Sequence, residues 1–170
     1  PGTYRETLLV TKPLEIIGNG KSQDIVIESE LGPCLTFRTP HALVANLTLK
    51  ALASPTGGPA FTAVDISEGE VLLEDCDCSS ETAAGVVIHG AGTQAHLRRV
   101  KVSGCAGDGL HVGSGATAML ERCQVWEVQG AGPVNCGGPS GSSRSSVVLV
   151  PGSVDSGPST ASGEAFAPLS

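Results

Sequence analysis

A chain of 170 residues has room for one domain, and its net charge of −7, with no basic stripe, leaves nothing to displace counterions from a nucleic acid. No apolar stretch is long enough to span a bilayer, and no secretory signal opens the chain. Aromatic residues are only 3% of the composition against 23 Gly, a balance that suits thin strands joined by tight turns around an aliphatic core.

The chain begins at "PGTY" without an initiator Met and is expected to be a fragment or excised domain of something longer. The first segments, "ETLLV", "PLEIIGNG" and "DIVIES", supply Leu9, then Leu14 and Ile16, then Ile25 and Ile27, with "GNG" as turn chemistry. They form a first, irregular unit. From residue 35 the units become regular: Leu35, Val64, Val86 and Leu110 are equivalent, and lie 29, 22 and 24 residues apart. Within a unit the apolar residues come in pairs two apart, which is strand periodicity. The pairs are 64/66, 71/73 and 76/78, then 86/88, 95/97 and 100/102, then 110/112, 118/120 and 123/125.

Parity breaks once per unit, at Asn46, Asp75, Arg99 and Arg122, where a one-residue corner keeps the strands on both sides facing inward. Three short strands per unit, each pairing with its equivalent one unit on, wind into a right-handed parallel β-helix over residues 1–129, with about five coils. The variable steps lie between strands one and two and between strand three and the next unit. The longest insertion, "KALASPTGGPAFTA" at residues 50–63, has the Gly and Pro of a surface loop.

The even number of Cys, six, suggests disulfides in a small secreted protein, but here the repeat argues otherwise. Cys76, Cys78 and Cys123 occupy inward columns, and Cys76 and Cys123 are two coils apart, roughly 9–10 Å, beyond disulfide reach. They read as small buried hydrophobes, which favours a reducing, intracellular location. A metal at "CDC" needs further ligands that the aliphatic core does not offer, so no metal and no cofactor is expected. Residues 130–170 turn to Gly, Ser, Pro and Ala, cannot bury enough apolar area to offset ordering entropy, and are expected to be a mostly disordered tail, with the run at Val147–Val150 the one segment suited to docking on the last coil.

Two outward surfaces can carry function. The face of the first strand of each coil presents Asp65, Val87 and His111 in one row and Ser67, His89 and Gly113 in the next, with Asp108 in the adjoining loop. Catalysis there would rest on Asp65, Asp108, His89 and His111. That set lacks both the carboxylate cluster and basic residue of a calcium-dependent lyase and, unless Asp108 joins Asp65, the paired carboxylates of a glycosidase. His89 and His111 stand on adjacent coils in neighbouring rows, so their rings can approach one another as a metal or acid–base pair. The second surface lies near the corner, where Glu74, Arg98 and Glu121 stack, then Asp75, Arg99 and Arg122, then Asp77, Lys101 and Gln124. Alternating charges there read either as a ladder that holds register or as a binding surface built from Glu74, Asp77, Arg98, Lys101 and Glu121.

Across residues 1–128, the opening "PGTYRETLLVTKPLEIIGNG", then "DIVIES" and "ANLTLKA", then "GVVIHGAGTQAHLRRVKVSGCAGDGLHVGSGATAMLERCQV" resemble the pectin-lyase-like β-helix of F-box proteins that carry the carbohydrate-binding-and-hydrolase (CASH) repeat. The same opening resembles bacterial periplasmic β-helix proteins of the copper-maturation type. The F-box resemblance implies a noncatalytic recognition solenoid that presents a protein substrate to a ubiquitin ligase, with the Skp and cullin scaffold engaged only through an F-box outside this chain. It transfers no catalytic residue. The rival expectation is a carbohydrate-active or carbohydrate-binding β-helix, a polysaccharide lyase or glycoside hydrolase; a third is a purely structural repeat with open ends.

Overall fold

Apolar side chains two residues apart point to the same side of a strand, and strands too short to bury that side alone must stack on their own equivalents. The computed structural model, which describes residues 1–113, 115–136, 146–149 and 154–155, shows this outcome: a parallel β-solenoid of about six turns. The one helical element among the described residues is a 3₁₀ turn at Ser22–Asp24, and no helix is long and apolar enough to cross a membrane.

Each turn has three strand positions. The first is filled by Leu8–Val10, Val86–Ile88, Leu110–Val112 and Val134–Cys136, and the second by Leu14–Ile17, Gln94–Arg98, Thr117–Glu121 and Ser146–Leu149. In the second and third turns, single strands, Leu35–Ala45 and Val64–Glu74, run through both positions. The third position holds Gly2–Arg5, Ile25–Ser29, Thr48–Ala51, Asp77–Ser80, Lys101–Cys105, Cys123–Val128 and Val154–Asp155, stacked in that order in one sheet. All pairings are parallel, and the register aligns Leu35, Val64, Val86 and Leu110 as the repeat predicts, with Val44, Leu73, Leu97 and Leu120 in a second column. These residues are sealed from solvent, at most 1% exposed. Cys76, Cys78 and Cys123 sit among them, and all six cysteines are free.

The corner column is as the parity break requires. Asn46, Asp75, Arg99 and Arg122 have φ of 59°, 51°, 53° and 53°, the left-handed region that costs a non-glycine residue about 1–2 kcal/mol. The ladder helps to offset it, because the first three corner amides reach the next coil: Asn46 N–H donates to the Glu74 carbonyl at 3.1 Å, Asp75 to Arg98 at 3.0 Å and Arg99 to Glu121 at 2.8 Å. Glycine is needed at Gly109, where a Cβ would lie 2.2 Å from Val125 Cγ1 and 2.7 Å from the Pro133 carbonyl oxygen.

The structure corrects several details. Leu9 points outward and is 58% exposed; Leu8 and Val10 take the inward columns, opposite Leu35 and Phe37, because adjacent leucines in "LLV" leave parity open until pairing sets it. The strands at the first two positions fuse in turns two and three, where the link between them is short and the ladder bends through register shifts at Phe37/Arg38 and Arg38/His41. There are about six turns, not five, since Val134–Cys136, Ser146–Leu149 and Val154–Asp155 extend all three columns beyond residue 130. Segment 147–149 therefore pairs as a ladder strand with Ala118–Leu120. The rest of the Gly/Ser/Pro-rich segment expected to be a disordered tail, residues 137–145, 150–153 and 156–170, lies outside the described residues. Of the 50–63 insertion, Lys50 and Ala51 belong to the strand Thr48–Ala51, and only 52–63 form the loop, tied down where Ser80 Oγ donates to the Phe61 carbonyl at 2.7 Å and Ala53 N–H donates to Glu81 Oε2 at 2.9 Å.

Candidate functional site

On the first-strand face, the four residues proposed for chemistry separate into two pairs. His89 Nε2 lies 2.8 Å from Asp65 Oδ1. His111 Nδ1 turns to Asp108 Oδ2 at 3.4 Å, so the two rings engage different carboxylates. Asp108 is further occupied: Oδ1 accepts the Ala131 amide at 2.7 Å, and Oδ2 accepts Asn135 Nδ2 at 2.8 Å. Oδ1 thus holds the turn that leads into Val134–Cys136, and Oδ2 holds that strand itself. Ser67 Oγ donates to the Phe37 carbonyl at 3.0 Å. No cluster of three or more His, Cys, Asp or Glu side chains able to hold a metal occurs among the described residues.

The charged stack near the corner is a set of bonded pairs between the third and fourth turns. Arg98 Nε donates to Glu74 Oε1 at 3.1 Å, and Arg99 grips Asp75 through two bonds of 2.7 and 2.8 Å while also bonding Glu74. Lys101 Nζ stands 4.0 Å from Asp77. Hydrogen bonding from Arg98, with Arg99 adding to it, holds the Glu74 carboxyl below its ordinary pKa, and Arg99 does the same to Asp75. Glu121 faces His96, with 3.7 Å between its carboxylate and Nε2.

Sequence reasoning missed a third surface. Outward positions on a strand exposed to water should be polar. At the second strand position the register instead aligns Glu15, Leu43, Leu72, His96, Met119 and Val148 on the outer face. Met119 and Val148 are 40% and 42% exposed. From Glu15 to Met119 this row floors a groove of about 670 Å³ that is also lined by His41, Glu70, Gln94 and Thr117. His96 Nε2 is shielded from water yet has no hydrogen-bond partner among the described residues, an unsatisfied polar atom in the middle of the row. The signal was present in the sequence: "ALVA", "VLLE" and "AMLE" each carry an extra apolar residue beside the inward pair.

No family model matches the chain, and neither a curated protein nor a solved structure matches it, so the F-box likeness rests on the quoted segments alone.

Proposed function

We propose that this chain is a noncatalytic protein-recognition solenoid whose partner lies in the groove over the second strand position. The observation that carries this reading is the outward row of partly buried Leu43 and Leu72 and exposed Met119, broken by His96 and prolonged beyond the groove by Val148, since apolar side chains gathered on an outer face mark an interaction site. The groups suited to chemistry support it from the other side: Asp108 is committed to backbone and amide bonds, and Asp65 to His89. The groove lining has no Phe, Tyr or Trp to stack on a sugar, which weighs against the carbohydrate reading. Within this proposal, the resemblance to F-box β-helices makes the partner the substrate of a ubiquitin ligase adaptor, and the F-box itself belongs to another part of a longer protein.

Two measurements test the reading. Incubated with polygalacturonate, xylan and soluble β-glucan, the protein is expected to release no reducing ends. Turnover that disappears in a folded Asp65→Asn/His89→Gln variant overturns the proposal in favour of an enzyme. Peptides selected for binding from a random display library are expected to lose affinity by roughly tenfold or more, about 1.4 kcal/mol, in Leu72→Glu. Binding indifferent to that change moves the recognition surface elsewhere.

A further inference from the structure

The groove also limits what kind of polypeptide it can take. Its floor crosses five coils from Glu15 to Met119. At ~4.8 Å per coil that is roughly 19 Å, about six residues of extended chain. The backbone beneath is no source of recognition, because each central strand is already paired with a coil on either side. An occupant therefore lies across the strands, along the solenoid axis, and is recognised through side chains.

Charge narrows the choice. The lining residues include the carboxylates of Glu15 and Glu70 and neither Lys nor Arg. Glu15 is exposed with no ion-pair partner among the described residues, and Glu70 faces only His41, at 3.4 Å with both side chains mostly in water. Arg98 and Arg99, at the end of the strand that carries His96, are already bound to Glu74 and Asp75, and Lys12, beside Pro13 of the lining, is exposed and in no ion pair with Glu15. Glu15 and Glu70 are two coils apart and offset by two residues along the strand. This separates them by roughly 12 Å, or three to four residues of extended peptide.

Building on the recognition reading above, we infer that the groove's partner is an extended aliphatic segment of polypeptide bearing two basic side chains three or four residues apart. The aliphatic side chains cover Leu43, Leu72 and Met119, and the basic ones meet Glu15 and Glu70. His96, 39% exposed at its side chain, lies midway between Leu72 and Met119, so the occupant also crosses an imidazole within the apolar row.

The test is selection from an unbiased random peptide library on the full chain, repeated on Leu72→Glu and on Glu15→Lys/Glu70→Lys, with circular dichroism confirming that each variant keeps its strands. The expected enrichment is aliphatic peptides with Lys or Arg at that spacing, weakened at least roughly tenfold by Leu72→Glu and turned toward Asp and Glu by the double charge reversal. Groove-dependent enrichment of neutral or acidic peptides on the unaltered chain overturns this inference while leaving the recognition reading intact. Enrichment of basic peptides without aliphatic residues also overturns it, as bare electrostatic attraction. If no peptide is enriched, or all bind Leu72→Glu equally well, the inference falls together with the recognition reading.

Discussion

At the scale of single residues, one aspartate illustrates how a candidate catalytic group becomes a structural one. Asp108 has a side chain only 14% exposed, and its oxygens receive Ala131 N–H and Asn135 Nδ2 at 2.7 and 2.8 Å. Asp108→Ala leaves those donors without their acceptor and is expected to cost about 1–3 kcal/mol, read as a lower denaturation midpoint. Asp65→Asn, which alters a half-exposed contact with His89, is expected to change stability by less than about 0.5 kcal/mol. Equal losses at the two positions would contradict this assignment. Glu74 makes a prediction in pH. Because Arg98 and then Arg99 hold its carboxyl below the ordinary range, the unfolded chain binds the proton more readily than the folded one. The contribution is therefore complete above the usual carboxylate pKa of about 4.3 and is lost as pH falls through and below it. Acid titration of stability should show a shallower decline in Glu74→Gln than in the unaltered chain; identical profiles would mean that the pair is not formed in solution.

At the scale of the strand, adjacent residues should have opposite consequences. Leu120 is 1% exposed in the inward column, whereas its neighbour Met119 is 40% exposed on the groove floor. Leu120→Ala is expected to cost about 2–5 kcal/mol, and Met119→Ala less than about 1 kcal/mol, in the same denaturation assay. A large loss at Met119 with little at Leu120 would show that the register is off by one. The inward columns were legible in the sequence because apolar pairs two apart admit only one parity, and the corners at Asn46, Asp75, Arg99 and Arg122 because that parity must reverse there. Where three apolar residues adjoin, as in "LLV", parity is undetermined locally and is set by the neighbouring coil. The sequence therefore leaves the side of Leu9 open, whereas the pairs 71/73 and 118/120 already turn Leu72 and Met119 outward, and only the stacking of coils shows that they line up as one row. The sixth turn was hidden for a different reason: Val134 and Cys136 are a lone apolar pair amid Gly and Pro, and become a strand by adding to Leu110–Val112.

At the scale of the molecule, the stability of a stack is a sum over interfaces between neighbouring coils, so a coil's position decides how easily it opens. A coil in the middle is held on two sides and an outermost coil on one. The contrast is visible in the inward columns: Val64, Ile66 and Leu73 of the third turn are fully buried, while Leu14 of the first turn, in the column of Ala42 and Val71, is 41% exposed. Ile17 and Tyr4 nearby are 57% and 45% exposed. Opening the first turn breaks one interface and exposes little that water does not already reach; opening the third breaks two and exposes a sealed aliphatic column. Native-state hydrogen exchange of the isolated chain should therefore be fastest at the amides of Leu8–Val10 and Leu14–Ile17 and slowest at those of Val64–Glu74 and Gln94–Arg98, with protection rising by an order of magnitude or more between them. Uniform protection from the first turn to the fourth would mean that the solenoid opens as one cooperative unit. Faster exchange in the third turn than in the first would mean that the exposed end is covered in solution, and a rise in protection of the first turn with protein concentration would identify that cover as a second copy of the chain.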